Sequence, residues 1–143
     1  MPPPKTGTAE LVDVVNLVTR LIWADMRQSS TAIEPSQWAT LLRIARGPCS
    51  MSELARHKAV SLPTTSKSVD MLVKRGWVER WVGDADRRRT LVRLTPGGRR
   101  LLANRRRRSE LLLAGKLAPL TAEEREQLAA SLQRVRAALA AEE

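Results

Sequence analysis

The stretch SLPTTSKSVDMLVKRGWVER, residues 61–80, decides the fold because its period changes partway along. Leu62, Thr65, Ser66, Val69, Leu72 and Val73 recur at 3.6-residue spacing and form the inward stripe of a helix running from Leu62 to about Arg75. Gly76 stands where a left-handed C-cap would stop that helix. Trp77 to Val82 then alternates like a strand. The helix's opposite face carries Thr64, Lys67, Ser68, Met71 and Arg75. Short hydroxyl side chains permit close approach to base edges in a major groove, and a cation serves guanine or phosphate. An ordinary solvated helix face has the same make-up, so this face does not decide the function alone.

The next residues tip the balance. Gly83 to Arg88 is polar, with turn residues at its start, and Thr90 to Leu94 returns as a second strand. The resulting β-hairpin carries Arg87, Arg88 and Arg89 at its tip, just after Asp84 and Asp86. A narrow minor groove concentrates negative potential and attracts guanidinium groups. Asp86 is spaced to orient Arg88 through a charge-assisted bond.

Upstream, Ser50-Met51-Ser52-Glu53 is a capping box opening a short helix with Leu54 and Ala55. A turn near residues 59–61 joins that helix to the one at 62. Before it, Pro35 starts a helix carrying Trp38, Leu41, Leu42 and Ala45, which Gly47-Pro48 ends. Leu11, Val14, Val15, Val18, Leu21 and Ile22 make the apolar stripe of a first helix, from Ala9 to about Arg27. Residues 1–7 read as a disordered Pro-rich arm. Downstream, Thr95-Pro96 opens a long helix through Leu101, Leu102, Leu112 and Leu113 towards Leu117. Thr121 to Glu124 is a further capping box, followed by Leu128, Leu132, Val135 and Leu139. The fold class is mainly α with a small β-hairpin wing. Residues 31–95 form a winged helix-turn-helix domain, and residues 8–30 and 96–143 form a helical dimerisation region.

The charge agrees. The chain has 143 residues and a formal net charge of +10, which favours nucleic acid or an anionic surface as partner. Arginine far outnumbers lysine. A fork suited to phosphate and guanine explains that bias, and so does a G+C-rich genome. No stretch approaches 18 apolar residues and no signal-peptide core follows Met1, so the expectation is a cytoplasmic protein without membrane contact. Cys49 is the lone cysteine, which rules out an intramolecular disulfide. With one histidine, His57, and one cysteine, no four-ligand zinc site forms within the chain. No catalytic triad stands out, so neither an enzyme nor a cofactor is expected. His57 reads as a surface or phosphate-side residue.

The segments Glu53-Leu54-Ala55, Ser61 to Lys67, Gly76 to Arg80, Asp86-Arg87-Arg88 and Leu94 to Gly98 resemble the MarR family of bacterial and archaeal regulators. The resemblance runs over essentially the whole chain. Its most specific part is the wing, Asp-x-Arg followed by Leu-Thr and a small-residue helix start. Lys58, where the family usually has an apolar residue, and Glu34, in place of a common Thr, depart from the pattern. The resemblance implies a homodimer gripping a pseudo-palindromic double-stranded operator, and repression relieved by a small, often anionic aromatic effector. It implies Thr64, Thr65, Lys67 and Ser68 as groove-facing residues and Arg88 as the wing arginine held by Asp86. The full candidate DNA-binding set adds Ser61, Pro63, Lys74, Arg75, Arg87 and Arg89. Trp23, Met26, Arg27 and Trp38 are the candidate effector-site residues, with Trp38 also fitting plain core.

The terminal helices read as a dimer interface through Leu11, Val14, Val15, Val18, Leu112, Leu113, Leu117, Leu128, Leu132, Val135 and Leu139. A second subunit would bury these stripes; packing of the two helices on each other is the alternative. The arginines at 99, 100 and 105–108 wrap all round their helix, so most are expected to be solvated. The alternative function is effector-independent DNA binding or compaction, or protein contact. Some members of the family sense peroxide through a cysteine near the first helix with tyrosine partners. This chain has no tyrosine, and Cys49 lies elsewhere, as a structural residue.

Overall fold

The computed structural model describes residues 7–84 and 89–141. Along the chain lie α1 (Thr8–Arg27), α2 (Pro35–Ala45), β1 (Cys49–Ser50), α3 (Met51–Lys58), α4 (Leu62–Lys74), β2 (Val78–Val82), β3 (Thr90–Leu94), α5 (Pro96–Lys116) and α6 (Ala122–Ala140). The strands form one antiparallel sheet in the order β1-β3-β2. In the hairpin, Val78 faces Leu94 and Val82 faces Thr90. β1 adds a third strand to the expected hairpin, with Cys49 opposite Val92. Two residues carry no periodicity, so only pairing with β3 reveals it.

Local chemistry sets the element ends. Ser50 Oγ accepts the Glu53 N–H at 3.1 Å, and Glu53 Oε2 accepts the Ser50 N–H at 2.7 Å, closing the box that starts α3. Thr121 and Glu124 do the same for α6 at 3.2 and 2.8 Å. Ser61 caps α4, accepting the Thr64 N–H at 3.3 Å. Between α3 and α4 the chain turns at Ala59, with φ of 51°. Gly76, at φ of 73°, ends α4 as its position suggested. Gly98 serves a close approach instead. A Cβ there would sit 2.1 Å from the Trp77 carbonyl oxygen, so only glycine lets α5 cross so close to β2.

The chain divides into two compact units at residues 108 and 109. The first is centred on Leu41 and Ile44 of α2, Leu54 of α3, Val69 and Leu72 of α4, Val78 of β2 and Val92 of β3, all nearly inaccessible to water. Full burial of each such side chain contributes about 1.5–3 kcal/mol. Met26 of α1 joins this core, and Leu101 and Leu102 of α5 pack against it. The expected boundaries at 31 and 95 therefore fall inside this unit: helices read as dimer elements lend their inner ends to the winged core. In the second unit, Leu113 and Leu117 of α5 and Leu128 and Leu132 of α6 line an apolar groove of about 630 Å3.

Much of the terminal stripes is uncovered. Val14 and Val15 of α1 are 54% and 53% exposed, and Leu132 and Leu139 of α6 are 51% and 63% exposed. Leu117 is exposed, while Leu11, Val18, Leu112, Leu113, Leu128 and Val135 are half-buried.

Candidate nucleic-acid interface

On α4 and its cap, Ser61, Pro63, Thr64, Lys67, Met71 and Lys74 line the outer side, and all six are exposed. The first turn projects past the core, which is why Leu62, expected to point inward, is 52% exposed. Thr65 is the converse correction. It is a core residue, and its hydroxyl donates to the Ser61 carbonyl at 3.0 Å, so it cannot belong to an open groove face. One turn on, Ser68 is half-buried and its Oγ is shielded from solvent, which removes it from the open face as well. Arg75, at the far end of the helix, donates to the Ala32 carbonyl at 2.7 Å and lies 4.9 Å over the Trp77 ring. It fastens α4 to the segment before α2.

Two ion pairs fix the wing against the helix-turn-helix. Arg80 of β2 donates to Asp70 of α4 at 2.5 Å, with Ser66 3.5 Å away. Arg89, at the end of the loop before β3, donates to Glu53 of α3 at 2.7 Å. All four side chains are substantially exposed, so the pairs orient more than they stabilise. The Ser50 hydrogen bonds and the Arg89 charge hold the Glu53 carboxyl below the usual carboxylate range. Along the wing, Arg93 pairs across the strands with Glu79 at 2.8 Å and stacks on Trp81 at 5.0 Å. Asp86, Arg87 and Arg88, the expected wing tip, lie outside the described residues.

Trp23, Met26 and Arg27 of α1 line a cavity of about 490 Å3 with Ala32, Ile33, Glu34 and Pro35. Trp38 is not among its walls; it is half-buried against the core, because α2 turns that face inward. Among the described residues no three metal-ligating side chains cluster. No helix of these residues is long and apolar enough to cross a membrane. Burial raises the Cys49 thiol's pKa, partly offset by Arg43.

Three basic residues hold elements together in ways that sequence reasoning missed. Lys58 of α3 donates to Thr40 Oγ1 at 2.8 Å and to the Ser36 carbonyl at 3.3 Å on α2, and burial lowers its pKa. A long amphipathic side chain can thus fill a site where an apolar one is usual. Arg105 is 6% exposed and donates to the Thr31 carbonyl and, at 2.8 Å, to Thr31 Oγ1. Arg108 clasps Asp25 of α1 with two bonds of 2.5 and 2.9 Å. Together Arg105 and Arg108 tie α5 to α1 and to the chain leading into the cavity wall. A run of arginines gives no sign of which member turns inward. The Asp25 carboxyl is held down by its bond to Arg108.

The MarR family model matches residues 33–89. An uncharacterised HTH-type transcriptional regulator of Bacillus subtilis, YwoH, is 32% identical over 91 residues. That match spans 59% of this chain and 64% of the relative, just under two thirds of its length. A probable transcriptional regulator from Pseudomonas aeruginosa is 32% identical in its crystal structure, covering 87% of this chain and 92% of its own, with a TM-score of 0.55. Wild-type MarR from E. coli, in its apo form, is 27% identical over 93% of this chain and 98% of its own, with a TM-score of 0.69. With the helix-turn-helix and wing already built from its own residues, the chain belongs to the MarR family.

Proposed function

We propose that the protein is a homodimeric, sequence-specific double-stranded-DNA-binding transcription regulator, acting as a repressor on a pseudo-palindromic operator. The observation that carries this reading is the Thr64–Lys67 face of α4, held beside the hairpin by the Arg80–Asp70 and Arg89–Glu53 pairs. A recognition helix gains specificity when its register against a second DNA contact is fixed. Lys67 reads a base edge or phosphate in the major groove. Thr64 and Ser61 supply short donors at the helix start, and Lys74 adds charge. Arg88, the wing arginine of the resemblance, enters the adjacent minor groove, while Arg89 stays with Glu53 at the base of the wing.

The dimer follows from the uncovered apolar stripes. Val14, Val15, Leu132 and Leu139, with the groove between Leu113 and Leu128, supply surface that a second copy would bury. Binding of DNA to selected and scrambled duplexes over a salt series, beside light scattering on the free protein, tests both parts. A sequence-independent affinity or a DNA-binding monomer would overturn them.

The effector part rests on the cavity at Trp23. Its walls join an aromatic ring and a thioether to one cation, Arg27, and one carboxylate, Glu34. An aromatic anion would stack on Trp23 and place its charge towards Arg27, away from Glu34. The cavity shares residues 32–35 with the chain entering α2, so occupancy can bias the spacing of the two winged units, given differential affinity for the two states. Titration with salicylate would quench tryptophan emission and release DNA together. Loss of neither in Trp23→Ala would overturn this assignment.

A further inference from the structure

The outer face of α3 and the facing side of α2 carry cations that the proposed contacts of α4 and the wing do not use. Arg43 of α2 and Arg56 and His57 of α3 line one cleft of about 330 Å3, with Glu53 as the fourth wall. Glu53 is already engaged: one oxygen accepts the Ser50 N–H and the other accepts Arg89. The Arg43 and Arg56 guanidinium groups have no hydrogen bond or ion pair among the described residues. Charge at the helix's C-terminal turn accounts for part of this, since Arg56 and His57 complement the α3 dipole. It does not account for Arg43, which comes from a different helix and turns to the same cleft.

We propose that Arg43, Arg56 and His57 form a phosphate-binding site on the helix-turn-helix. Two arginines and a histidine line one cleft whose carboxylate is already engaged by Ser50 and Arg89, a composition that favours a tetrahedral oxyanion over a carboxylate-bearing apolar ligand. The site is continuous with the wing through Glu53 and Arg89. A DNA strand passing from the major groove under α4 to the minor groove under the wing presents its backbone to this side of α3. The same chemistry would accept a free phosphate. The DNA arm of this inference rests on the proposed DNA binding, and the free-phosphate arm does not.

The test uses the full-length protein and a duplex selected from a random library. Affinity is measured against salt for the wild type, Arg56→Ala, the double variant Arg43→Ala/Arg56→Ala, and a charge-matched control, Arg134→Ala/Arg136→Ala on α6. In parallel, inorganic phosphate is titrated while the His57 ring signals are followed by NMR. Each phosphate contact contributes about 0.9 to the slope of log affinity on log salt. The double variant should lower the slope by about 2 for one site per protomer of a dimer, Arg56→Ala should follow in part, and the α6 control should not. That result assigns the site to the DNA backbone. An unchanged slope, with His57 signals that move with phosphate in the wild type but not in the double variant, assigns it to a free phosphate. An unchanged slope with no phosphate response overturns the proposal. A wild type that binds no duplex defeats the proposed function, and the phosphate titration then decides this site by itself.

Discussion

Glu53 and Arg89 are joined at 2.7 Å, and the same carboxylate closes the cap of α3 through the Ser50 N–H. One side chain therefore starts the helix-turn-helix and anchors the base of the wing. Glutamine retains the capping geometry but not the charge. Glu53→Gln should leave the thermal midpoint nearly unchanged while weakening operator binding several-fold. Glu53→Ala should also cost about 1 kcal/mol of stability. Calorimetry and DNA titration on both variants check this; equal DNA affinity for Glu53→Gln and the wild type would show that the wing does not depend on the pair.

Gly98 and Gly115 both lie in α5, yet opposite outcomes are expected on changing each to alanine. At Gly98 the new Cβ would meet the Trp77 carbonyl at 2.1 Å, and backbone cannot yield as a side chain can. Overpacking of this kind costs about 3 kcal/mol. At Gly115 nothing lies within 4 Å, so the helix should gain roughly 0.5–1 kcal/mol. Urea unfolding distinguishes them, and a neutral Gly98→Ala would contradict the close crossing of α5 over β2.

The Asp25–Arg108 pair gives a pH dependence of known sign. Its bond to Arg108 lowers the Asp25 carboxyl in the folded state, so the pair's contribution is fully present above the ordinary carboxylate range of about 4. That contribution is lost as pH falls through the lower folded-state value. Asp25→Asn should be less stable than the wild type at neutral pH, with the gap closing in acid. A gap that is constant from neutral pH to about pH 2 would mean that the ion pair contributes nothing.

Burial of the α6 stripe in a dimer predicts that Leu132→Glu, which puts a charge on a residue lining the apolar groove, yields monomer at micromolar concentration. Light scattering reads the mass directly. A dimer of unchanged mass and dissociation constant would place the interface elsewhere.

The elements were legible because their signals are local. The Ser50 and Thr121 boxes, Gly76, and the change of period after it fix most ends without any tertiary information. β1 was not legible, since a strand of two residues exists only through its partner. At the interface, helical spacing alone separates the neighbouring threonines, sending Thr65 inward and Thr64 outward, and the structure agrees with that stripe against the resemblance that put Thr65 in the groove. Ser68 is where spacing falls short: it sits on the polar side of the pattern, yet its hydroxyl is shielded from solvent. Arg75, Arg89 and Arg105 show the same limit for charge, each being committed to a protein partner 36 or more residues away in sequence.

Lys67 decides whether α4 reads sequence, because a lysine on a base edge behaves differently from one that only neutralises phosphate. Fluorescence anisotropy of Lys67→Ala at physiological salt, on the selected duplex and on a scrambled one, separates the two cases. A base contact is worth roughly 1–3 kcal/mol of discrimination, so the expected loss is roughly 5- to 150-fold on the selected duplex and much smaller on the scrambled one. Equal losses on both would contradict sequence reading by α4.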